Sequence, residues 1–244
     1  MNHNLGLVSV SFRNHTPKEI LNAMKQCGLS YIEWGSDVHA PPENAAEIAA
    51  LQREYNVVCC SYGTYFRLGV TPTEELQTYI AAAKTLGTDI LRLWCGDKNS
   101  ENYTVEQKTA LFAACDAAAK LAEKNGVTLC MECHNNTYTN AKEASYELMQ
   151  AVGSPAFRMY WQPNQYRSDE ENIAYAKLLS PYTVNLHVFN WKGKEKYPLQ
   201  EATQLWKDYL ACFPGKKTLL LEFMPDGKLE SLAREVQALK EIAE

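Results

Sequence analysis

Four polar residues interrupt runs that are otherwise apolar in the second half of the chain. Glu132 lies near the end of Val127-Thr-Leu-Cys-Met-Glu-Cys-His134, and Gln162 near the end of Phe157-Arg-Met-Tyr-Trp-Gln-Pro163. His187 falls within Thr183-Val-Asn-Leu-His-Val-Phe189, and Glu222 within Thr218-Leu-Leu-Leu-Glu-Phe223. Removing a carboxylate from water costs on the order of several kcal/mol unless it is paired, hydrogen-bonded or metal-bound. Two carboxylates brought close together also raise each other's pKa. One divalent cation relieves both penalties, and two carboxylates, an imidazole and an amide oxygen suit Mn²⁺, Mg²⁺, Co²⁺ or Zn²⁺. The competing arrangement pairs each glutamate with an arginine or lysine and leaves His187 a hydrogen-bonded core residue. Three ionisable groups near the ends of successive apolar runs favour the metal site.

A second tier of residues surrounds these four. Glu33 and Arg92 each sit inside an apolar run, where a facing ion pair would satisfy both; direct contact of Arg92 with substrate is the alternative. His39 follows a run in a Pro-bounded loop, and His134 shares strand parity with Glu132. Either imidazole is placed to meet a substrate hydroxyl or phosphate. Tyr62, Tyr65, Phe66, Trp94, Trp161 and Trp191 fall at or after run ends. They are suited to walling the apolar face of a bound small molecule, to sealing one end of the fold or to an oligomer contact. The expected substrate contacts are His39, Tyr65, Arg92, Trp94, His134 and Trp191, together with Gln165 just past the Gln162 run. Arg67, Lys192 and Lys194 are loop cations, each more in keeping with a solvated surface charge than with a phosphate site. Cys130-x-x-Cys133 looks like half a zinc site, but alternation sends the two thiols to opposite faces of a strand, and no second such pair exists.

The elements that must position these residues repeat along the chain. Strand-like runs begin near Leu5, Tyr31, Val57, Asp89, Val127, Phe157, Thr183 and Lys217, so 244/8 gives about 30 residues per unit, the size of a βα repeat. Between them, Thr16/Glu19, Asn44/Glu47, Thr71/Glu74, Thr104/Gln107, Asn140/Glu143 and Ser168/Glu171 have capping-box spacing. Pro17 and Pro72 follow as first helical residues, and Gly28, Gly87, Gly126, Gly153 and Gly215 mark stops. A final helix is expected from Leu229 to Ala243. Strict alternation implies parallel strands joined by right-handed crossovers. No dinucleotide or P-loop glycine pattern favours an open sheet. The expectation is an α/β fold, a (β/α)₈ barrel forming a single domain over residues 1–244, with its chemistry at the C-terminal strand ends.

The formal net charge of −5 and the pI near 5.6 argue against a nucleic-acid or anionic-membrane partner. The longest stretch free of Asp, Glu, Lys and Arg, Leu178 to Trp191, contains Pro181, Asn185 and His187 and cannot span a bilayer. No signal-peptide pattern opens the sequence, so the cytoplasm is the expected compartment and the eight cysteines are expected to stay reduced.

In order along the chain, Tyr31-Ile-Glu-Trp-Gly-Ser-Asp-Val-His-Ala-Pro41, Ser61-Tyr-Gly-Thr-Tyr-Phe-Arg67, Leu91-Arg-Leu-Trp-Cys-Gly96, Met131-Glu-Cys-His134, Tyr160-Trp-Gln-Pro163, Asn185-Leu-His187 and Leu221-Glu222 resemble the xylose isomerase-like TIM barrels. The resemblance is to their sugar phosphate isomerase/epimerase group and covers essentially the whole chain. It implies one divalent metal ion held by Glu132, Gln162, His187 and Glu222, with Glu132 and Glu222 moving a proton on either face of the substrate. Gln162 departs from the family pattern: a neutral amide stands where relatives carry Asp, so the ligand set bears −2 instead of −3 and that position binds a hard cation more weakly. The implied activity is isomerisation or epimerisation of a sugar or sugar-like hydroxy-carbonyl compound through an enediolate. A small sugar is the expected partner, and homo-oligomers are compatible with it. Two other readings compete: a sugar-binding barrel that has lost its metal, and an endonuclease-like metal hydrolase of the class IV apurinic type, which the five histidines and acidic charge disfavour.

Overall fold

The apolar runs form strands and the amphipathic stretches form helices, in alternation, in a computed structural model that describes residues 3–244. The strands are β1 (Asn4–Val8), β2 (Tyr31–Gly35), β3 (Val58–Leu68), β4 (Ile90–Cys95), β5 (Thr128–Glu132), β6 (Phe157–Trp161) and β7 (Thr183–Val188). A short hairpin, β8 (Trp191–Lys192) and β9 (Glu195–Lys196), precedes the last barrel strand, β10 (Thr218–Leu221). The eight long strands pair in parallel, and β1 joins β10 to β2 to close the barrel, with Leu7 opposite both Leu221 and Ile32. Eight α-helices surround it among the described residues: α1 (Pro17–Cys27), α2 (Ala45–Glu54), α3 (Leu76–Leu86), α4 (Val105–Asn125), α5 (Lys142–Val152), α6 (Asp169–Leu179), α7 (Thr203–Leu210) and α8 (Leu232–Ala243). This is the expected (β/α)₈ architecture in one domain. No helix among the described residues is long and apolar enough to cross a membrane.

Period-two alternation splits the core into two layers. Leu91 and Leu93 of β4, Leu129 and Met131 of β5 and Leu186 of β7 pack outward against the helices, together with Ile20, Leu76, Leu148 and Leu239. The barrel interior holds a much smaller apolar group: Val8, Val10, Cys130, Tyr160 and Leu220. Cys130 thus lies inside and Cys133 in the outer layer, on opposite faces as their spacing requires, and both are free thiols. Cys60, Ile90, Val184 and Phe223 pack against this inner group, and the polar side chains of Glu33, Ser61, Arg92 and His187 are buried as well.

Three of the six capping boxes form with both arms, at Thr16, Thr104 and Ser168. The other three do not, because each side chain is absent from the cap or used elsewhere. Asn44 makes no cap hydrogen bond. Thr71 Oγ1 accepts the Arg67 N–H at 3.2 Å, and Pro72 precedes a 3₁₀ turn instead of opening α3. Asn140 Oδ1 accepts the Ser100 N–H at 2.9 Å while α5 starts after Ala141. Gly28, Gly87, Gly126 and Gly153 end helices in the left-handed region. Gly215 also has positive φ but lies in the loop before β10, since α7 already ends at Leu210. The last helix begins at Leu232, after a 3₁₀ turn at Leu229–Ser231.

Candidate functional site

The barrel brings Glu132, His187 and Glu222 together at the C-terminal ends of β5, β7 and β10. One ligand atom from each lies within 4.8 Å of the other two, the one such grouping among the described residues. His187 Nδ1 is 2.8 Å from Gln162 Oε1 and 3.5 Å from both Glu132 Oε1 and Glu222 Oε2. Glu222 is held just beyond β10 by its N–H, which donates to Val188 O at 3.0 Å. The next residue, Phe223, turns the chain with φ 52° and donates its N–H to Ser11 Oγ at 2.9 Å. A divalent ion with bonds of about 2.1 Å and right-angled neighbours needs donors about 3 Å apart. The distances from His187 Nδ1 to the other three donors, 2.8 to 3.5 Å, bracket that spacing, and the carboxylate, imidazole and amide donors suit a small hard or borderline cation.

Beneath this group lies a buried ion network. Arg92 donates from Nε to Glu33 Oε1 at 3.2 Å and from Nη1 to Glu132 Oε2 at 3.0 Å. Trp94 Nε1 donates to the same Glu132 oxygen at 2.5 Å, and Ser61 Oγ donates to Glu33 Oε2 at 2.5 Å. Tyr160 and Asn185 extend the chain of hydrogen bonds. His187 Nε2 is fully buried without a hydrogen bond, 3.5 Å from Glu33 Oε1. Gly63 makes room for the network: a Cβ there would sit 2.6 Å from Glu33 Oε1 and 2.8 Å from Arg92 Nη2.

These contacts push the two strand-end carboxylates apart in acidity. Burial alone would raise Glu132, but Arg92 and His187 outweigh it and hold the group well below the usual carboxylate range. Glu33, equally buried, is held at about 2 by Arg92 and His187. Glu222 is different: burial, with the charge of Glu132, pushes it up to about 7 against the pull of His187 and Arg92. Burial opposes the charging of His187, yet Glu222 and Glu33 raise it to about 10. In the metal-free protein the imidazolium therefore supplies the positive charge at the centre of the group.

A cavity of about 240 Å³ opens above, and Tyr65, Arg92, Trp94, His134, Gln165 and Trp191 line it together with Glu132, Gln162 and Glu222. Trp94 stacks on His134 at 5.1 Å and meets the edge of Tyr65 at 5.2 Å, while the Arg67 guanidinium lies 4.3 Å from the Trp94 ring centre. Opposite, Trp191 packs on Phe223 at 5.2 Å. His39 does not reach the cavity. Its Nδ1 meets Ser9 Oγ at 3.1 Å and its Nε2 the His15 carbonyl at 3.1 Å, beside Trp34. Tyr62 and Trp161 face the outer layer, where Tyr62 donates to Ala40 O and Trp161 packs on Trp206, Tyr209 and Phe213; Phe66 packs there on Tyr79. Arg67 donates to the Gly96 and Asn136 carbonyls, and Lys192 and Lys194 are exposed around the β8–β9 turn.

Sequence reasoning passed over Val10, Phe189 and Phe223 in the lining, and Ser61, Tyr160 and Asn185 in the network. Tyr160 and Asn185 carried a usable signal, since each lies two residues before a site residue on the same strand face. A second cavity of about 320 Å³ lies behind Gln165, Phe189 and Trp191, and none of Glu132, His187 and Glu222 lines it.

Residues 21–209 match the family model described as the xylose isomerase-like TIM barrel, so the chain belongs to that family. Among curated proteins none matches in sequence. Solved structures share the fold at low identity. The probable 3-DHS dehydratase AsbF of Bacillus anthracis, involved in petrobactin synthesis, superposes with a TM-score of 0.80 at 16% identity, covering 98% of this chain and 99% of its own. The xylose isomerase domain protein from Planctomyces limnophilus gives 0.76 at 12% identity, over 99% and 98% of the two chains. The D-allulose 3-epimerase from Methylomonas sp., solved with D-allulose, gives 0.73 at 14% identity, over 98% and 96%.

Proposed function

We propose that the protein is a divalent-metal-dependent isomerase or epimerase of a sugar or sugar-like hydroxy-carbonyl substrate, acting through an enediolate. The observation that carries this reading is the convergence of Glu132, His187 and Glu222 within 4.8 Å at the mouth of the barrel, with Gln162 Oε1 beside His187. Glu132, Gln162, His187 and Glu222 would hold the ion. When bound, a divalent cation supplies Lewis-acid stabilisation of the negative charge that develops on a substrate carbonyl oxygen. The glutamates of the site move the carbon-bound proton. Tyr65, Trp94 and Trp191 pack on the carbon face of the sugar and keep water from the enediolate. His134, with Nδ1 engaged by Asn135 O at 2.5 Å, offers Nε2 to a substrate hydroxyl, and Gln165 offers its amide. A small sugar in the cytoplasm, with no nucleic-acid or membrane partner, completes the reading, in keeping with eight free cysteines. Association into homo-oligomers is compatible with it.

A sugar-binding barrel without metal is the second reading, and Gln162 favours it: its amide satisfies His187 Nδ1 without any ion. Elemental analysis of the purified protein, followed by turnover of a panel of free and phosphorylated sugars, separates the two. About one divalent ion per chain, lost on Glu132→Gln or Glu222→Gln, is the expected result. Absence of metal, with no binding of Mn²⁺, Co²⁺ or Mg²⁺ at millimolar concentration, rejects the enzymatic reading.

A further inference from the structure

The two glutamates are not equivalent as bases. Oε2 of Glu132 already accepts two N–H donors, Arg92 Nη1 at 3.0 Å and Trp94 Nε1 at 2.5 Å. Its other oxygen, Oε1, faces His187 Nδ1 at 3.5 Å and is the one available to a cation. Both donors are fixed. Arg92 is buried and tied to Glu33 Oε1 at 3.2 Å and the Thr64 carbonyl at 3.3 Å. The Trp94 ring is clamped by Arg67, His134 and Tyr65. To take a proton, Oε2 would have to give up two charge-assisted hydrogen bonds. Glu222 lines the same cavity, and among the described residues its side chain accepts no such bond; His187 Nδ1 lies 3.5 Å from its Oε2.

We infer that the site has a single working base, Glu222, and that Arg92 and Trp94 fix Glu132 as a ligand, so that the reaction is a one-face aldose–ketose isomerisation and not an epimerisation. The inference rests on the metal-dependent reading above and replaces its two-glutamate proton transfer with transfer by Glu222 alone. Glu222 takes the hydrogen from the carbon beside the carbonyl as a proton; the C–H pair becomes the C=C bond of the enediolate and the carbonyl π pair moves to oxygen. The same carboxylic acid returns the proton to the former carbonyl carbon on the same face, and the C=C pair forms the new C–H bond. The hydroxyl proton of the neighbouring carbon passes to the first oxygen, and that neighbour becomes the carbonyl. Atoms and charge balance without a co-reactant. Epimerisation would need a second acid on the opposite face, and Glu132 is the group held out of that role.

The test uses Mn²⁺-loaded protein and unphosphorylated ketoses of three to six carbons, deuterated at the migrating position, in ordinary water. Aldose product that retains part of the substrate deuterium is expected, with no C3 epimer. A C3 epimer as the main product, with hydrogen taken wholly from solvent, overturns the inference and leaves the metal-dependent reading standing. Failure to bind metal, or exchange with none of the sugars, overturns that reading and the inference with it. A second readout is independent of turnover: in ¹⁵N-labelled protein, the Trp94 indole N–H signal, assigned by its loss in Trp94→Phe, should stay downfield when Mg²⁺ saturates the site. An upfield shift of that signal on loading shows Glu132 Oε2 released and rejects the inference.

Discussion

The Nδ1 of His187 and the Oε1 of Gln162 lie 2.8 Å apart, which puts a neutral amide in direct contact with the imidazole at the centre of the carboxylate group. Replacing that amide with a charge tests its place. If Gln162 Oε1 is a ligand, Gln162→Asp tightens Mn²⁺ binding about tenfold, or about 1.4 kcal/mol, the shorter side chain offsetting part of the gain. Calorimetric titration of both proteins measures it. Unchanged affinity together with a lower melting temperature would remove Gln162 from the ligand set.

Arg92 is the counter-ion of both Glu33 and Glu132. Arg92→Met keeps the bulk and leaves two buried carboxylates without their cation, so it should cost about 3–5 kcal/mol of stability. Urea denaturation at neutral pH reads the loss. A change within experimental error would show that water or His187 already compensates for the guanidinium.

Metal binding should be coupled to proton release. His187 titrates at about 10 and Glu222 at about 7 in the metal-free protein, and a ligand must be deprotonated to bind. Between pH 8 and 9, of the ligands only His187 retains a proton to lose, so Mn²⁺ affinity should rise about tenfold per pH unit. Below pH 7 Glu222 is also protonated, and the dependence steepens as the pH falls. Calorimetry in buffers of differing ionisation enthalpy counts the protons, and release of none at pH 8 would contradict the charged imidazole.

Gly63 is needed for close approach, not for an unusual φ. Gly63→Ala places a methyl group 2.6 Å from Glu33 Oε1 and 2.8 Å from Arg92 Nη2. Because these atoms form a buried pair, the pair must shift, and about 1–3 kcal/mol of stability should be lost. Thermal unfolding of the variant measures it, and a melting temperature equal to that of the parent protein would show the pair to be mobile.

The strands and the four strand-end residues were legible because each depends on a local pattern: an apolar run, period-two alternation and a polar residue near the C-terminal end. The Glu33–Arg92 pair could also be expected from two lone charges within such runs. What lay outside local pattern was distance across the barrel. Nothing in the spacing of residues 33 and 187 announces that Glu33 Oε1 comes within 3.5 Å of His187 Nε2. His39 shows the converse: it follows β2 as expected, but its loop folds back and both ring nitrogens find partners in Ser9 and His15. Asn140 satisfies the capping pattern, yet the Ser100 and Glu101 contacts claim its amide. Local signals of about a kcal/mol give way where a tertiary partner competes for the same group.

Trp191, one wall of the cavity, is carried on the hairpin β8–β9, whose strands pair only with each other. Beyond that ladder, Gly193 N–H donates to Gln165 O at 2.9 Å and Tyr197 N–H to Asn190 O at 2.8 Å. The Lys196 ammonium lies 4.8 Å from the Trp191 ring centre. This wall is therefore carried on a hairpin outside the barrel ladder, whereas the opposite wall at Trp94 grows directly from a barrel strand. Loop grafting at residues 191–197 is accordingly a route to enlarging the chamber toward longer substrates while the charged floor stays as it is.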